Sequence, residues 1–275
     1  MGGEAGARRL SYSAGVSACE KGGQWQPALA LLSEMREAKL EPSVISYCAG
    51  ISACEKGDQW QPALALLIEM REAKLEPDVI SYSAGISACE KGGQWQQALA
   101  LLSDMWMVNV EPGVISYNAG ISACGNDGRW QWALALLKEM SEEKLEPTVI
   151  SYSAGISACA KGDQLQWALV LLSEMREEDL EPNVISYCAG ISACEKSGQW
   201  QRALALLSEM LEAEVQPTVI SYSAGISACA KCEQWQRALA LLSELREAKL
   251  EPDSATALGS ARARRASSGS QRWRC

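Results

Sequence analysis

A chain of 275 residues with 48% hydrophobic and 21% charged positions is long enough to bury a large apolar core. It contains no histidine. That excludes the usual neutral-pH general base, the Ser-His and Cys-His nucleophile pairs and the commonest metal ligand, so the composition argues against an enzyme and against a metal site. The net charge of −9 is unfavourable for a partner that is itself a polyanion.

The chain opens on MGGEAGARRL, and residues 1–8 read as a short N-terminal extension. It carries two arginines but is too short for a convincing transit or signal peptide. From residue 9 a repeat takes over. Tyr12, Tyr47, Tyr82, Tyr117, Tyr152, Tyr187 and Tyr222 are spaced by 35 without exception, as are Pro42, Pro77, Pro112, Pro147, Pro182, Pro217 and Pro252. A fixed, gapless period of this length marks one supersecondary unit stacked on copies of itself. The units are 9–43, 44–78, 79–113, 114–148, 149–183, 184–218 and 219–253.

Within a unit, Tyr47, Gly50, Ile51 and Cys54 have the i, i+3, i+4, i+7 spacing of one helix face, and Ala63, Leu66, Leu67 and Met70 repeat it. Each unit is therefore two helices. A Gly-rich turn such as Lys91-Gly92-Gly93-Gln94 joins them, and a Leu-Glu-Pro break ends the second. Pro27 and Pro62 fall in the first turn of the second helix, where a missing N–H is harmless. The sequence predicts an all-α, right-handed solenoid of seven helix-turn-helix hairpins with the first helices lining its concave face.

The first helix carries Ala49-Gly50 in its middle, which costs about 1 kcal/mol relative to alanine. Close approach of the adjoining hairpin is the expected gain. Trp25, Trp60, Trp95, Trp130, Trp200 and Trp235 are read as core residues that fill the space beside this glycine, with Leu165 in their place in the fifth copy. Cys19, Cys54, Cys89, Cys124, Cys159, Cys194 and Cys229 recur once per unit. Stacked hairpins hold equivalent residues roughly 8–10 Å apart, too far for a disulfide. They read as small buried residues of a protein in a reducing compartment. Glu, Lys and Arg interrupt every repeat, so no apolar run reaches the length of a membrane span.

A second stripe of the first helix is distinct from the core face: Ile45, Cys48, Ser52 and Lys56 lie at i, i+3, i+7 and i+11. Its last member recurs as Lys21, Lys56, Lys91, Lys161, Lys196 and Lys231, broken by Asn126. Such a row suits a linear polymer with repeating charge.

The unit from Val79 to Met105, V-I-S-Y-S-A-G-I-S-A-C-E-K-G-G-Q-W-Q-Q-A-L-A-L-L-S-D-M, resembles the pentatricopeptide repeat in length, in its hydrophobic-Ser-Tyr start, its Lys-x-Gly turn, its Ala-Leu second helix and its proline ending. Gly50 and its equivalents stand where that family usually has leucine, and the family's long N-terminal targeting region is missing. The tetratricopeptide repeat has a different period and places its Trp, Leu-Gly and Tyr elsewhere.

The resemblance implies single-stranded RNA binding at one base per repeat, in organellar RNA processing, stability or editing, in chloroplast or mitochondrion, with a processing or editing enzyme as a recruited partner. It implies reading pairs of Ser13 with Ser43, Cys48 with Asp78, Ser83 with Gly113, Asn118 with Thr148, Ser153 with Asn183, Cys188 with Thr218 and Ser223 with Asp253. The Ser153 and Asn183 pair favours adenine in the family, and the Asn118 and Thr148 pair leans to a pyrimidine. By the same resemblance Leu10, Ile45, Ile80, Ile115, Ile150, Ile185 and Ile220 wedge between bases, and the lysine row meets phosphates.

Other readings of the same residues stand beside this one. The post-proline residues are mostly good N-caps, and capping alone explains them. The lysines also suit helix C-termini. Five arginines and no acid between residues 254 and 275 leave −14 on the remainder of the chain, which suits a scaffold holding a peptide or partner helix. Against that, Glu34, Glu37, Glu69 and Glu72 belong to the second helix, expected to face away from a groove. Some pentatricopeptide proteins carry a zinc deaminase domain, which requires a His-x-Glu element that this chain lacks. The lone Cys229 and Cys232 pair is a weak metal signal. Residues 254–275 are polar and aperiodic, as in a disordered basic tail.

Overall fold

The computed structural model describes residues 2–248, so Pro252, Asp253 and the tail 254–275 lie outside the described residues. Those residues form helices α1 (Gly2–Lys21), α2 (Trp25–Glu37), α3 (Val44–Lys56), α4 (Trp60–Glu72), α5 (Val79–Lys91), α6 (Trp95–Met107), α7 (Val114–Asn126), α8 (Trp130–Glu142), α9 (Val149–Lys161), α10 (Leu165–Glu177), α11 (Val184–Lys196), α12 (Trp200–Glu212), α13 (Val219–Lys231) and α14 (Trp235–Glu247). No strand occurs among the described residues. Residues 2–8, read from sequence as an extension, form the first turns of α1.

The helices belong to two compact units. Of the described residues, unit 1 spans 2–127 with 135–146, and unit 2 spans 128–134 with 147–248. Within unit 1 the first helices α1, α3, α5 and α7 stack in succession, and α2, α4 and α6 each pack against the first helix of the following hairpin. Unit 2 repeats the plan, with α9, α11 and α13 stacked and α10 and α12 bridging them. Within each unit the hairpins therefore complete one another's core. Tyr47, Ile51 and Cys54 of α3 and Ala63, Leu66, Leu67 and Met70 of α4 are all buried, as their spacing predicts.

Local chemistry sets the ends of each helix. At the end of α3 the chain turns left-handed at Asp58 (φ 56°), and the Gln59 N–H donates to the Cys54 carbonyl at 2.9 Å. At the end of α2 it does so at Lys39 (φ 54°), where the Leu40 N–H donates to the Met35 carbonyl at 2.9 Å. Both closures satisfy carbonyls that a helix C-terminus otherwise leaves unpaired. First helices begin on a side-chain cap: Ser43, Asp78, Thr148, Asn183 and Thr218 each accept the backbone N–H of the serine three residues on.

The tryptophans do not lie where the sequence places them. A Cβ on Gly50 would sit 2.7 Å from Leu32 Cδ1 and 3.1 Å from Leu66 Cδ1, so leucines of two successive second helices occupy the space beside that glycine. Trp25, Trp60 and Trp130 instead cover the turn of the next hairpin. A Cβ on Gly57 would meet Trp25 Cδ1 at 2.3 Å, one on Gly92 would meet Trp60 at 2.2 Å, and one on Gly162 would meet Trp130 at 2.4 Å. The indole reaches past its own hairpin because it opens the second helix, next to the turn rather than beside mid-helix.

All cysteines of the described residues are free thiols. Cys54, Cys89, Cys124, Cys159, Cys194 and Cys229 are fully buried. Burial pushes the Cys159 thiol up to about 12 and the others to about 11. No helix among the described residues is long and apolar enough to cross a membrane.

Candidate nucleic-acid interface

In unit 2, Ile185, Cys188, Ser192 and Lys196 of α11 line one side of a cleft of about 460 Å³. Lys161 of α9 and Thr218 and Ile220 of the α13 N-terminal region complete it. The equivalents of Ile185 protrude throughout: Leu10, Ile45, Ile80, Ile115, Ile150, Ile185 and Ile220 are 59–72% exposed. Exposed branched aliphatics repeated at one helical register are unlike the rest of the chain's surface and leave an apolar face uncovered.

Between these apolar steps runs a polar seam. The Cys48 thiol lies 3.7 Å from Asp78 Oδ1, Ser153 Oγ donates to Asn183 Oδ1 at 3.2 Å, and Cys188 Sγ lies 3.5 Å from Thr218 Oγ1. These three expected pairs are brought together. Ser13 and Ser43 meet through a third residue, each bonding Ser46 Oγ, at 2.8 and 3.1 Å. Ser83 bonds Ser116 at 2.8 Å, and Gly113 contributes no side-chain cap. Asn118 and Ser223 are also engaged, and Asp253 lies outside the described residues.

The shared partner in this seam is a serine the sequence reading passed over. Ser46, Ser81, Ser116, Ser151, Ser186 and Ser221 are fully buried. Each donates its backbone N–H to the residue that caps its own helix or, in the fourth repeat, follows a glycine. Ser186 shows the arrangement in full: its N–H donates to Asn183 Oδ1 at 2.9 Å and its hydroxyl bonds Ser153 at 2.8 Å. A polar residue invariant through seven copies, three places after a capping residue, is the signal that could have revealed it.

This wiring fixes what each cap can still offer. With Asn183 Oδ1 taken by the Ser186 N–H, the amide NH2 remains as a donor. In Asp78 the equivalent Oδ1 takes the Ser81 N–H at 2.9 Å, leaving the second carboxylate oxygen as an acceptor. Burial opposes the Asp78 charge, but hydrogen bonds from Ser81 and Cys48 outweigh it and hold the carboxyl below its ordinary value. The capping side chains are thus the same residues that the sequence resemblance assigns to base reading. Ser83 and Ser153, at 9% and 4% exposure, sit behind the caps rather than beside them.

The lysine row is not a set of free ammonium groups. Lys56 pairs with Glu20 at 3.1 Å, Lys91 with Glu55 at 2.9 Å and Lys231 with Glu195 at 3.0 Å. Each glutamate belongs to the preceding first helix. Lys196 faces Ala160 at that position. It donates to the Ala160 and Lys161 carbonyls at 3.0 and 3.2 Å and pairs with Asp163 at 3.0 Å. Lys56, Lys91, Lys196 and Lys231 stand in the last turn of their own helices, where a cation complements the dipole, and Lys56, Lys91 and Lys196 also donate to carbonyls of the preceding first helix. On the second helices, Glu69 is engaged by Arg36, Asp104 by Arg71 and Glu209 by Arg176. No group of three or more His, Cys, Asp or Glu side chains among the described residues could hold a metal ion.

Stacked helical hairpins with an invariant core and a variable polar seam define an α-solenoid repeat protein. Family comparison narrows this. The pentatricopeptide repeat domain matches residues 10–57, 65–127 and 170–232, the PPR repeat family matches 112–161, and the PPR repeat matches 150–180 and 220–250. The chain belongs to the pentatricopeptide repeat family.

Solved structures agree on the fold. The pentatricopeptide repeat protein PPR10 from maize matches with a TM-score of 0.64 and 28% identity over 88% of this chain and 34% of that one. PPR10 in complex with an 18-nt psaJ RNA element matches with a TM-score of 0.60 and 19% identity, over 93% of this chain and 42% of that one. The PPR domain of Arabidopsis thaliana protein-only RNase P 1 in complex with tRNA gives 0.58 and 18%, over 66% of this chain and 95% of that one. The chain thus spans about a third of the length of the maize protein. No curated protein sequence matches it.

Proposed function

We propose that this chain binds single-stranded RNA with base selectivity, one base per repeat and at most seven bases in all. The observation that carries the reading is the cleft lined by Ile185, Cys188, Thr218 and Ile220 together with Lys161 and Lys196. Two exposed isoleucines of adjacent repeats offer aliphatic faces to a flat base, a cap side chain offers hydrogen bonds to its edge, and an ammonium group stands where a phosphate passes. Stacked first helices repeat this arrangement at roughly 8–10 Å, enough for a base and an aliphatic side chain in alternation. The solved relatives in complex with RNA support the same reading, since their fold is the one found here.

The chain itself is assigned no reaction. It selects a strand, and processing or editing falls to a recruited enzyme in chloroplast or mitochondrion. A peptide-binding scaffold is the rival reading, favoured by the net charge of −9 and by the glutamates that hold Lys56, Lys91 and Lys231.

A salt titration separates the two. Single-strand affinity should fall with a log–log slope of about −0.7 per phosphate contact, so three contacts give roughly a 20-fold loss between 50 and 200 mM salt. An apolar peptide groove should bind with little salt dependence. Equal affinity for single-stranded RNA and duplex DNA at low salt would defeat the RNA reading.

A further inference from the structure

The lysine row is uneven: the glutamate position is Gly125 before Lys161 and Ala160 before Lys196, and both of these lysines line the same cleft. Glu20, Glu55 and Glu195 hold the lysine of the following repeat, and these carboxylates are 29%, 22% and 24% exposed. A phosphate reaching Lys56, Lys91 or Lys231 must displace a carboxylate that is three-quarters covered and aimed at the ammonium group. Lys196 is different. Ala160 occupies the glutamate position, and the acid that pairs with Lys196 is Asp163, a turn residue 70% exposed. Ion pairs to a solvated partner are weak and readily exchanged.

The same lysine borders the 460 Å³ cleft, which Ile185, Ile220, Cys188 and Thr218 also line. The cleft and a lysine whose carboxylate partner is solvated therefore coincide in the sixth repeat. Resting on the RNA reading above, we propose that the sixth repeat is the anchor of a bound strand: its cleft takes the base held most tightly, Lys196 takes the adjoining phosphate, and the remaining repeats read outward from it. The largely covered glutamates that hold Lys56, Lys91 and Lys231 act as built-in competitors of phosphate in those repeats, so affinity is concentrated around the cleft while selectivity is spread along the seam.

The test installs the missing competitor. In Ala160→Glu a carboxylate enters at the position from which Glu20, Glu55 and Glu195 reach a lysine 36 residues on. Natural glutamates at four equivalent positions show that the fold accepts it. Ala230→Glu is the control. It adds the same charge at the same register, but the residue 36 positions on is Ala266. Both full-length variants and the parent are titrated with a labelled random pool of single-stranded RNA, with helicity checked by circular dichroism.

The expected result is a loss of about fivefold or more in Ala160→Glu and of about twofold or less in Ala230→Glu. A parent that binds while Ala160→Glu matches it, or while the two variants lose affinity equally, overturns the anchor and leaves the RNA reading standing. A parent that binds no RNA overturns both.

Discussion

Replacing Asn183 by Asp tests base reading at a single atom. Asn183 Oδ1 accepts the Ser186 N–H at 2.9 Å and the Ser186 hydroxyl at 3.0 Å, so the amide NH2 is the part left to face a base. An aspartate there should keep both bonds, because Asp78 makes the equivalent ones to Ser81 at 2.9 and 2.7 Å. Asn and Asp cap helices equally well, so stability should change by no more than a few tenths of a kcal/mol. At the base, however, a donor becomes an acceptor. Adenine presents an acceptor at its ring nitrogen and guanine presents ring N–H and amino donors, so preference should move from adenine to guanine. A good base contact is worth about 1–3 kcal/mol, a change of roughly tenfold or more in the ratio of the two affinities. Fluorescence anisotropy with strands differing at that one base measures the ratio, in which any general repulsion of the strand by the added charge cancels. An unchanged ratio in a folded Asn183→Asp protein would show that Asn183 caps and does nothing more.

Other consequences are open to simpler assays. Gly92→Ala places a methyl 2.2 Å from the Trp60 ring and should lower stability by about 1–3 kcal/mol in urea unfolding, whereas Gly93→Asp should be nearly neutral, because Asp58 already occupies the equivalent left-handed site. The buried thiols make the fold sensitive to alkali. Their folded pKa values of about 11 exceed the ordinary value of 9.0, so their contribution is complete below pH 9.0 and is lost as pH rises toward 11. Each thiol should add a slope of about 1.4 kcal/mol per pH unit in that window, and stability that stays flat from pH 9.0 to 11 would contradict the assignment. A thiol reagent at neutral pH should label Cys188 and Cys232 well before Cys159 or Cys194, read by mass spectrometry, since the latter two are fully buried.

Much of this molecule is legible in its period. Tyr47, Ile51 and Cys54 announce a core face by spacing alone, and Ile45, Cys48, Ser52 and Lys56 announce a second face whose equivalents in α11 do line one cleft. Contacts that cross from one hairpin to the next are not legible in this way. The position of Trp25 over Gly57 depends on how far the second helix of one repeat reaches toward the turn of the next, which no periodicity encodes. The pairing of Lys56 with Glu20 likewise joins residues 36 apart, so the acids that meet the lysine row sit on the first helices and, for Lys196, in the turn at Asp163, and not on the second helices, where the count of Glu34, Glu37, Glu69 and Glu72 directs attention. Ser46 and its equivalents are hidden for another reason: a serine beside a tyrosine looks like filler until its burial is known, and then it must be hydrogen-bonded.

The central claim is that successive repeats read successive bases, and a binding selection from random single-stranded RNA tests it most directly. The account predicts one contiguous enriched motif of at most seven positions, with its strongest constraint at the base facing the sixth repeat and adenine favoured at the neighbour facing Asn183. Enrichment without any positional motif, or a motif unmoved by Asn183→Asp, would contradict it.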